Sequence, residues 1–130
     1  MNSLEIAVQA AIKSEGNTQE VNKAYLELMK GNFIIPIESQ LKDGEPVVLY
    51  LHENEETYLP VFSNMDDFER WSHDIRDKIQ LLKLSGVDLL KGIGENITLL
   101  LNPGSTSYKP FNPAELARLK NMVMKLFKGL

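Results

Sequence analysis

Apolar residues recur along this chain first at helical spacing, then in short runs, then at helical spacing again. Leu4, Val8, Ala11 and Ile12 form one stripe that closes at Ser14-Glu15-Gly16, where glycine supplies a left-handed exit. Asn17 predicts the cap of a second helix with Glu20 as its reciprocal partner. Val21, Ala24, Tyr25, Leu28 and Met29 give that helix its stripe before Lys30-Gly31 ends it. Phe33-Ile34-Ile35-Pro36-Ile37 is short and β-branched and reads as a strand; Pro36 donates no ladder hydrogen bond and predicts an edge or a strand end. Lys42-Asp43-Gly44-Glu45-Pro46 has turn composition, Val47-Val48-Leu49-Tyr50-Leu51 reads as a strand, His52-Glu53-Asn54-Glu55-Glu56 as a polar turn, and Thr57-Tyr58-Leu59-Pro60-Val61-Phe62 as another strand. Three strands joined by polar turns predict an antiparallel meander.

The second half opens with Ser63 or Asn64 as a helix cap, Asp66 and Asp67 in the first turn, and Met65, Phe68, Trp71, Ser72 and Ile75 at helical spacing. Lys78 to Leu84 fits alternation and a helical stripe alike and is read as a strand. Ser85-Gly86-Val87-Asp88 is a capping-box pattern opening a short helix with Val87, Leu90 and Ile93, which exits at Gly92 or Gly94. Ile97 to Leu101 is apolar on both faces, the mark of a central strand, and Asn102-Pro103-Gly104 stops it. Asn112 caps the last helix, with Pro113 at its first position and Glu115 at its third. Leu116, Leu119, Val123, Leu126 and Leu130 follow as an apolar seam. The prediction is one α+β domain over residues 1–130, an antiparallel or mixed sheet of about five strands covered by helices.

Composition narrows the class. At 43% hydrophobic and 25% charged residues the chain is ordinarily globular, and zero cysteine removes disulfides, thiol nucleophiles and thiolate metal sites together. Met-Asn-Ser-Leu-Glu lacks the basic and apolar regions of a secretory signal, and no apolar run reaches the roughly 20 residues of a membrane span, so a cytoplasmic protein is expected. A net charge of −4 repels a phosphate backbone. The cations Arg118, Lys120, Lys125 and Lys128 gather where a helix C-terminus favours them, so no nucleic-acid partner is assigned.

Candidate chemistry is sparse. His52 and His73 are the two histidines. On a helix from Met65 to Ile75, Asp66, Arg70, His73 and Asp77 would share a face. Arg70 opposes a dication there and a solvated face has the same spacing, so no metal is assigned. The acidic run His52 to Glu56 lacks the alternating ligands and central glycine of a calcium loop. Gly92-x-Gly94 precedes a strand, whereas a dinucleotide fingerprint follows one, and neither a Gly-x-Ser-x-Gly elbow nor a phosphate loop is present. Asn102-Pro103-Gly104 reads structurally as a turn; functionally, Gly104-Ser105-Thr106-Ser107 offers amide and hydroxyl donors beyond a strand end, where a carboxylate or peptide could dock. Tyr58, Phe62, Trp71, Tyr108 and Phe111 are either core or the lining of that surface.

Tyr58-Leu59-Pro60-Val61-Phe62-Ser63-Asn64 followed by a helix with Trp71, then a short capped helix, a strand ending Leu101-Asn102-Pro103-Gly104, and a helix at Asn112-Pro113-Ala114-Glu115-Leu116 resembles the SseB-type N-terminal domain of bacteria. The likeness covers roughly residues 19–120. It implies an α+β domain, often followed in the family by a second domain, and no catalytic residues. The resulting expectation is a non-enzymatic protein-interaction or regulatory module without cofactor, metal, nucleic-acid or membrane partner, acting as monomer or homodimer. Its expected surface is Tyr58, Phe62, Trp71, Asn102, Gly104, Ser105, Tyr108 and Phe111. The alternatives are an amino-acid or other small-ligand sensor using the loop after Leu101, and a type III secretion chaperone-like dimer.

Overall fold

The computed structural model describes residues 2–38 and 47–126. In chain order the elements are α1 (Ser3–Lys13), α2 (Thr18–Lys30), β1 (Asn32–Glu38), β2 (Leu51–Glu53), β3 (Glu56–Val61), α3 (Met65–Ser72), a 3-10 turn (Arg76–Lys78), β4 (Ile79–Ser85), α4 (Gly86–Gly92), β5 (Ile97–Leu101), β6 (Lys109–Phe111) and α5 (Pro113–Leu126). The expected turn at Lys42 to Pro46, and Lys128 and Leu130, lie outside the described residues.

Side-chain caps set where the helices start. Asn2 and Glu5 form a reciprocal capping box on α1, and Asn112 and Glu115 form another on α5. Asn17 caps α2 through the amides of Gln19 and Glu20, but the reciprocal bond from Glu20 is not made. The physical reason is local: the Asn17 N–H already donates to Ser14 Oγ at 3.1 Å, and Glu20 pairs with Lys23 instead. Ser85 Oγ likewise makes only its own half of the box, accepting from the Asp88 N–H.

Instead of a meander, the strands form a four-stranded mixed sheet in the order β2-β3-β5-β6 and a two-stranded β1–β4 sheet bridged to it. β2 and β3 make an antiparallel hairpin, β3 and β5 are parallel, and β6 returns antiparallel to β5. β1 pairs along all seven residues with β4, and isolated bridges from Ile34 to Phe62 and from Ile37 to Val48 tie this pair to the rest. β1 therefore has neighbours on both sides and is not the edge that Pro36 suggested. Pro36 is tolerated because its carbonyl, which accepts from the Leu49 N–H at 3.0 Å, is the group that position needs. The second expected strand shifts to Leu51–Glu53, since the turn is two residues long. Asn54 and Glu55 both have positive φ, at 52° and 67°, as a tight hairpin turn requires, so His52, Glu53 and Glu56 join the strands. β6 is an element that sequence periodicity missed.

Alternation divides the packing in two. Phe33 and Ile35 of β1, Leu59 and Val61 of β3, Leu99 and Leu101 of β5, and Phe111 of β6 face one large core, closed by α1, α2, α4 and α5. Ile34, Phe62 and Ile79 face the other way and pack with Phe68 of α3, with Trp71, Ile75 and Leu81 around them. Gly86 has no room for a side chain: a Cβ there would lie 2.0 Å from the Leu28 carbonyl oxygen, so α4 abuts α2 directly.

The start of α5 is anchored to α2 by a partly buried polar contact. Tyr25 Oη donates to Glu115 Oε2 at 2.7 Å, beside the Phe111 ring, while Lys109 lies 3.7 Å from the same carboxylate oxygen. Burial, and then the bond to Glu115, push the Tyr25 hydroxyl from 10.0 up to about 12. Tyr25→Phe should lower unfolding free energy by about 1–2 kcal/mol, read from the urea midpoint. Because the folded value is the higher one, this contribution is complete below the unfolded value of about 10 and disappears as pH rises towards about 12. The stability difference between wild type and Tyr25→Phe should shrink across that window.

Candidate functional site

β3 and β5 run parallel and stop together at Val61 and Leu101. Beyond their carboxyl ends the backbone ladder adds one bond, from Asn102 N–H to the Val61 carbonyl at 2.8 Å. Asn102 then enters the left-handed region at φ 48°, which an asparagine accepts more readily than most residues. Its fully buried side chain continues the pairing: Oδ1 accepts from Ser63 N–H at 2.9 Å and Nδ2 donates to Ser63 Oγ at 2.8 Å.

The chain of bonds runs on into α1. Ser63 Oγ donates to Glu5 Oε1 at 3.2 Å, Asn64 Nδ2 donates to the same oxygen, and the Asn2 N–H donates to Glu5 Oε2 at 2.7 Å. Glu5 is only 5% exposed, and these donors offset the desolvation of its carboxylate. Asn64 also caps α3 through the Asp67 N–H at 2.7 Å, and Asp67 is ion-paired with Arg70. One hydrogen-bonded network therefore joins two strand ends and two helix starts.

Outside it opens a crevice of about 500 Å³, lined by Asn2 and Glu5, by Asn64, Asp66, Asp67 and Arg70, and by the loop from Gly104 to Ser107. It lies past the carboxyl ends of parallel strands, where ligands commonly dock in sheets of this kind. Several of the loop's polar groups are engaged within the protein. Ser105 N–H donates to the Asn102 carbonyl, Ser107 N–H to Ser105 Oγ, Tyr108 N–H to the Ser105 carbonyl, and Gln9 reaches Thr106 Oγ1. Three carboxylates against one guanidinium leave the crevice negative.

A second surface lies on the back of the sheet. Opposite in alternation to the main core, Leu51, Tyr58, Thr98, Leu100 and Pro110 share one face. α3 covers the neighbouring stretch around Phe62, and the four core helices pack on the far side. Tyr58 and Leu100 are half-buried, and Tyr108 beside them is 40% exposed. Tyr58 Oη donates to Glu56 Oε2 at 2.6 Å. That bond first, then slight burial and the charges of Glu56 and Glu53, raise the Tyr58 hydroxyl above its usual value.

The eight expected surface residues thus separate. Phe62 and Phe111 are fully buried in the two different cores, Trp71 packs on Phe62 with ring centroids 5.3 Å apart, and Asn102 is the buried bridge. Gly104 and Ser105 line the crevice; Tyr58 and Tyr108 belong to the outer face. α3 ends at Ser72, so His73 and Asp77 leave the face they were expected to share with Asp66 and Arg70. Sequence reasoning missed Glu5. Its signal was the capping-box spacing Asn2-Ser3-Leu4-Glu5.

Asn102→Ala leaves the partly buried Ser63 N–H without its acceptor, removes the donor to the Ser63 hydroxyl and places alanine at positive φ. The loss should be about 2–4 kcal/mol in chemical unfolding. A loss below about 1 kcal/mol would show that the network does not hold the strand ends.

Among the described residues no helix is long and apolar enough to cross a membrane. No curated protein and no solved structure matches the chain. The family model described as SseB protein N-terminal domain matches residues 4–118, from α1 into α5, and the chain belongs to that family.

Proposed function

We propose that this domain is a non-enzymatic protein-interaction module of the bacterial cytoplasm, and that its partner docks on the outer sheet face through a segment that is apolar and basic. The observation that carries this reading is the uncovered face itself. Four helices close one side of the sheet, whereas Tyr58, Leu100, Tyr108 and Pro110 stand on the other with no helix across β3, β5 and β6 among the described residues. Tyrosines at such a position supply rigid apolar area with a polar tip, the composition enriched in interface centres. Glu53 and Glu56 border the face and the chain carries a net charge of −4, so a basic flank on the partner complements it.

Tyr108→Ala and the double change Glu53→Lys with Glu56→Lys test the reading in tagged protein recovered from the native host. Each should reduce partner recovery about tenfold or more while leaving thermal stability nearly unchanged, since these side chains are exposed. Raising salt should weaken wild-type recovery. Retention of the same partners at wild-type ratios by both variants would sink the proposal.

A second reading, a sensor for an amino acid or related small ligand, is favoured by the crevice, where Asp66 and Arg70 offer opposite charges to a zwitterion. Millimolar amino acids should then raise the melting temperature of wild type and not of Arg70→Ala. No shift with any amino acid would remove this reading.

A further inference from the structure

The sheet ends differently on its two sides. β6 is three residues long with Pro110 at its centre, a short edge that resists further pairing. β4 is seven residues long, apolar at Ile79, Leu81, Leu82 and Leu84, with Lys83 its single charge. Among the described residues it pairs along one edge only, with β1. Such an edge is a template for another strand.

The register identifies which backbone groups that edge presents. Ile34 exchanges both its backbone bonds with Phe62, at 2.8 and 2.9 Å, so its N–H and carbonyl point away from β4. The Pro36 carbonyl and the Glu38 N–H point the same way, to Leu49 and Val47. Across the β1–β4 ladder these three residues lie opposite Lys83, Leu81 and Ile79. In antiparallel pairing the latter must direct their own groups to the outer edge. The Ile79 carbonyl is capped there by Arg76 Nη1 at 3.2 Å, an independent sign of the same orientation. Among the described residues Leu81 and Lys83 remain to receive a partner.

We propose that β4 pairs with β4 of a second copy of this chain, antiparallel, about a two-fold axis at Leu82. Leu81 of each copy then lies opposite Lys83 of the other, and two narrow pairs form four backbone hydrogen bonds. Shifting the axis to Lys83 sets two ammonium groups face to face, and shifting it to Leu81 matches Lys83 with the capped Ile79. The Leu82 register is also complementary in charge at both ends. Exposed Lys78 comes opposite Gly86 of the other copy, next to exposed Asp88 in the first turn of α4. A strand pair about 24 Å long buries less than a standard interface, so association is weak and concentration-dependent. This surface is separate from the outer face and stands or falls independently of it.

Sedimentation of wild type from micromolar to millimolar concentration should show a monomer–dimer equilibrium. Leu82→Cys supplies a direct geometric readout, because the chain has no cysteine of its own. In the non-hydrogen-bonded pair on the axis the two Cα atoms lie about 4.5 Å apart, within disulfide reach. Oxidation should therefore cross-link Leu82→Cys about tenfold faster or more than Leu84→Cys, whose counterpart is several residues away. Lys83→Pro removes an N–H that β1 does not use, so it should fold with little change in melting temperature and lose association. A monomer at every concentration, equal cross-linking of the two cysteine variants, or undiminished dimerisation of a folded Lys83→Pro would each overturn the proposal. If Lys83→Pro does not fold, the cysteine pair still decides.

Discussion

Asn102 carries the pairing of β3 and β5 past the point where the backbone ladder stops, and the arrangement around it depends on that side chain. The polypeptide must leave the sheet in two directions there, into α3 after Ser63 and into the loop after Pro103. At the first exit the Ser63 N–H is partly buried and takes no backbone partner among the described residues. The Asn102 amide meets the first exit with both its atoms, accepting from the Ser63 N–H and donating to the Ser63 hydroxyl. Alanine could do neither, and aspartate would lack the donor.

From this bridge the same logic reaches the N-terminus. Glu5 is nearly buried because three donors converge on it, and two of them, Ser63 and Asn64, belong to the segment that Asn102 positions. α1 is thereby held over the strand ends as part of the fold. Its companion contact, Tyr25 on Glu115, holds the start of α5 from the other flank of the core. Both are charge-assisted bonds in partly buried settings, where they count for more than at the surface.

The family domain is closed on one side of its strands by the helical core and open on the other among the described residues. The core helices complete the packing on one face, and among the described residues the back of the sheet and the outer edge of β4 stay uncovered. Asn2, Glu5, Asn64 and Asp67 at the crevice are bonded within the protein, so the chemistry there is that of a joint, with a negative opening beside it. The outer face differs: its tyrosines and Leu100 stand beside acidic residues and meet no opposing helix among the described residues.

Local signals were legible wherever the deciding contacts lie within a few residues. Apolar spacing located all five helices, the Asn112 cap and the strand at Ile97 to Leu101, and the grouping Asn102-Pro103-Gly104 marked its end. What the residues alone left open was pairing. Pro36 looks like an edge residue until β1 is seen to need no donor there, and Ile34 and Ile35 cannot reveal which of two cores each will face. The expected surface split for the same reason: Phe62 is buried with Ile34 and Phe68 of α3, Phe111 faces the main core from its antiparallel pairing with Leu99, and Asn102 is buried against Ser63. Strand partners are separated by tens of residues, so the physics that selects them operates between segments and leaves no periodic trace in either one.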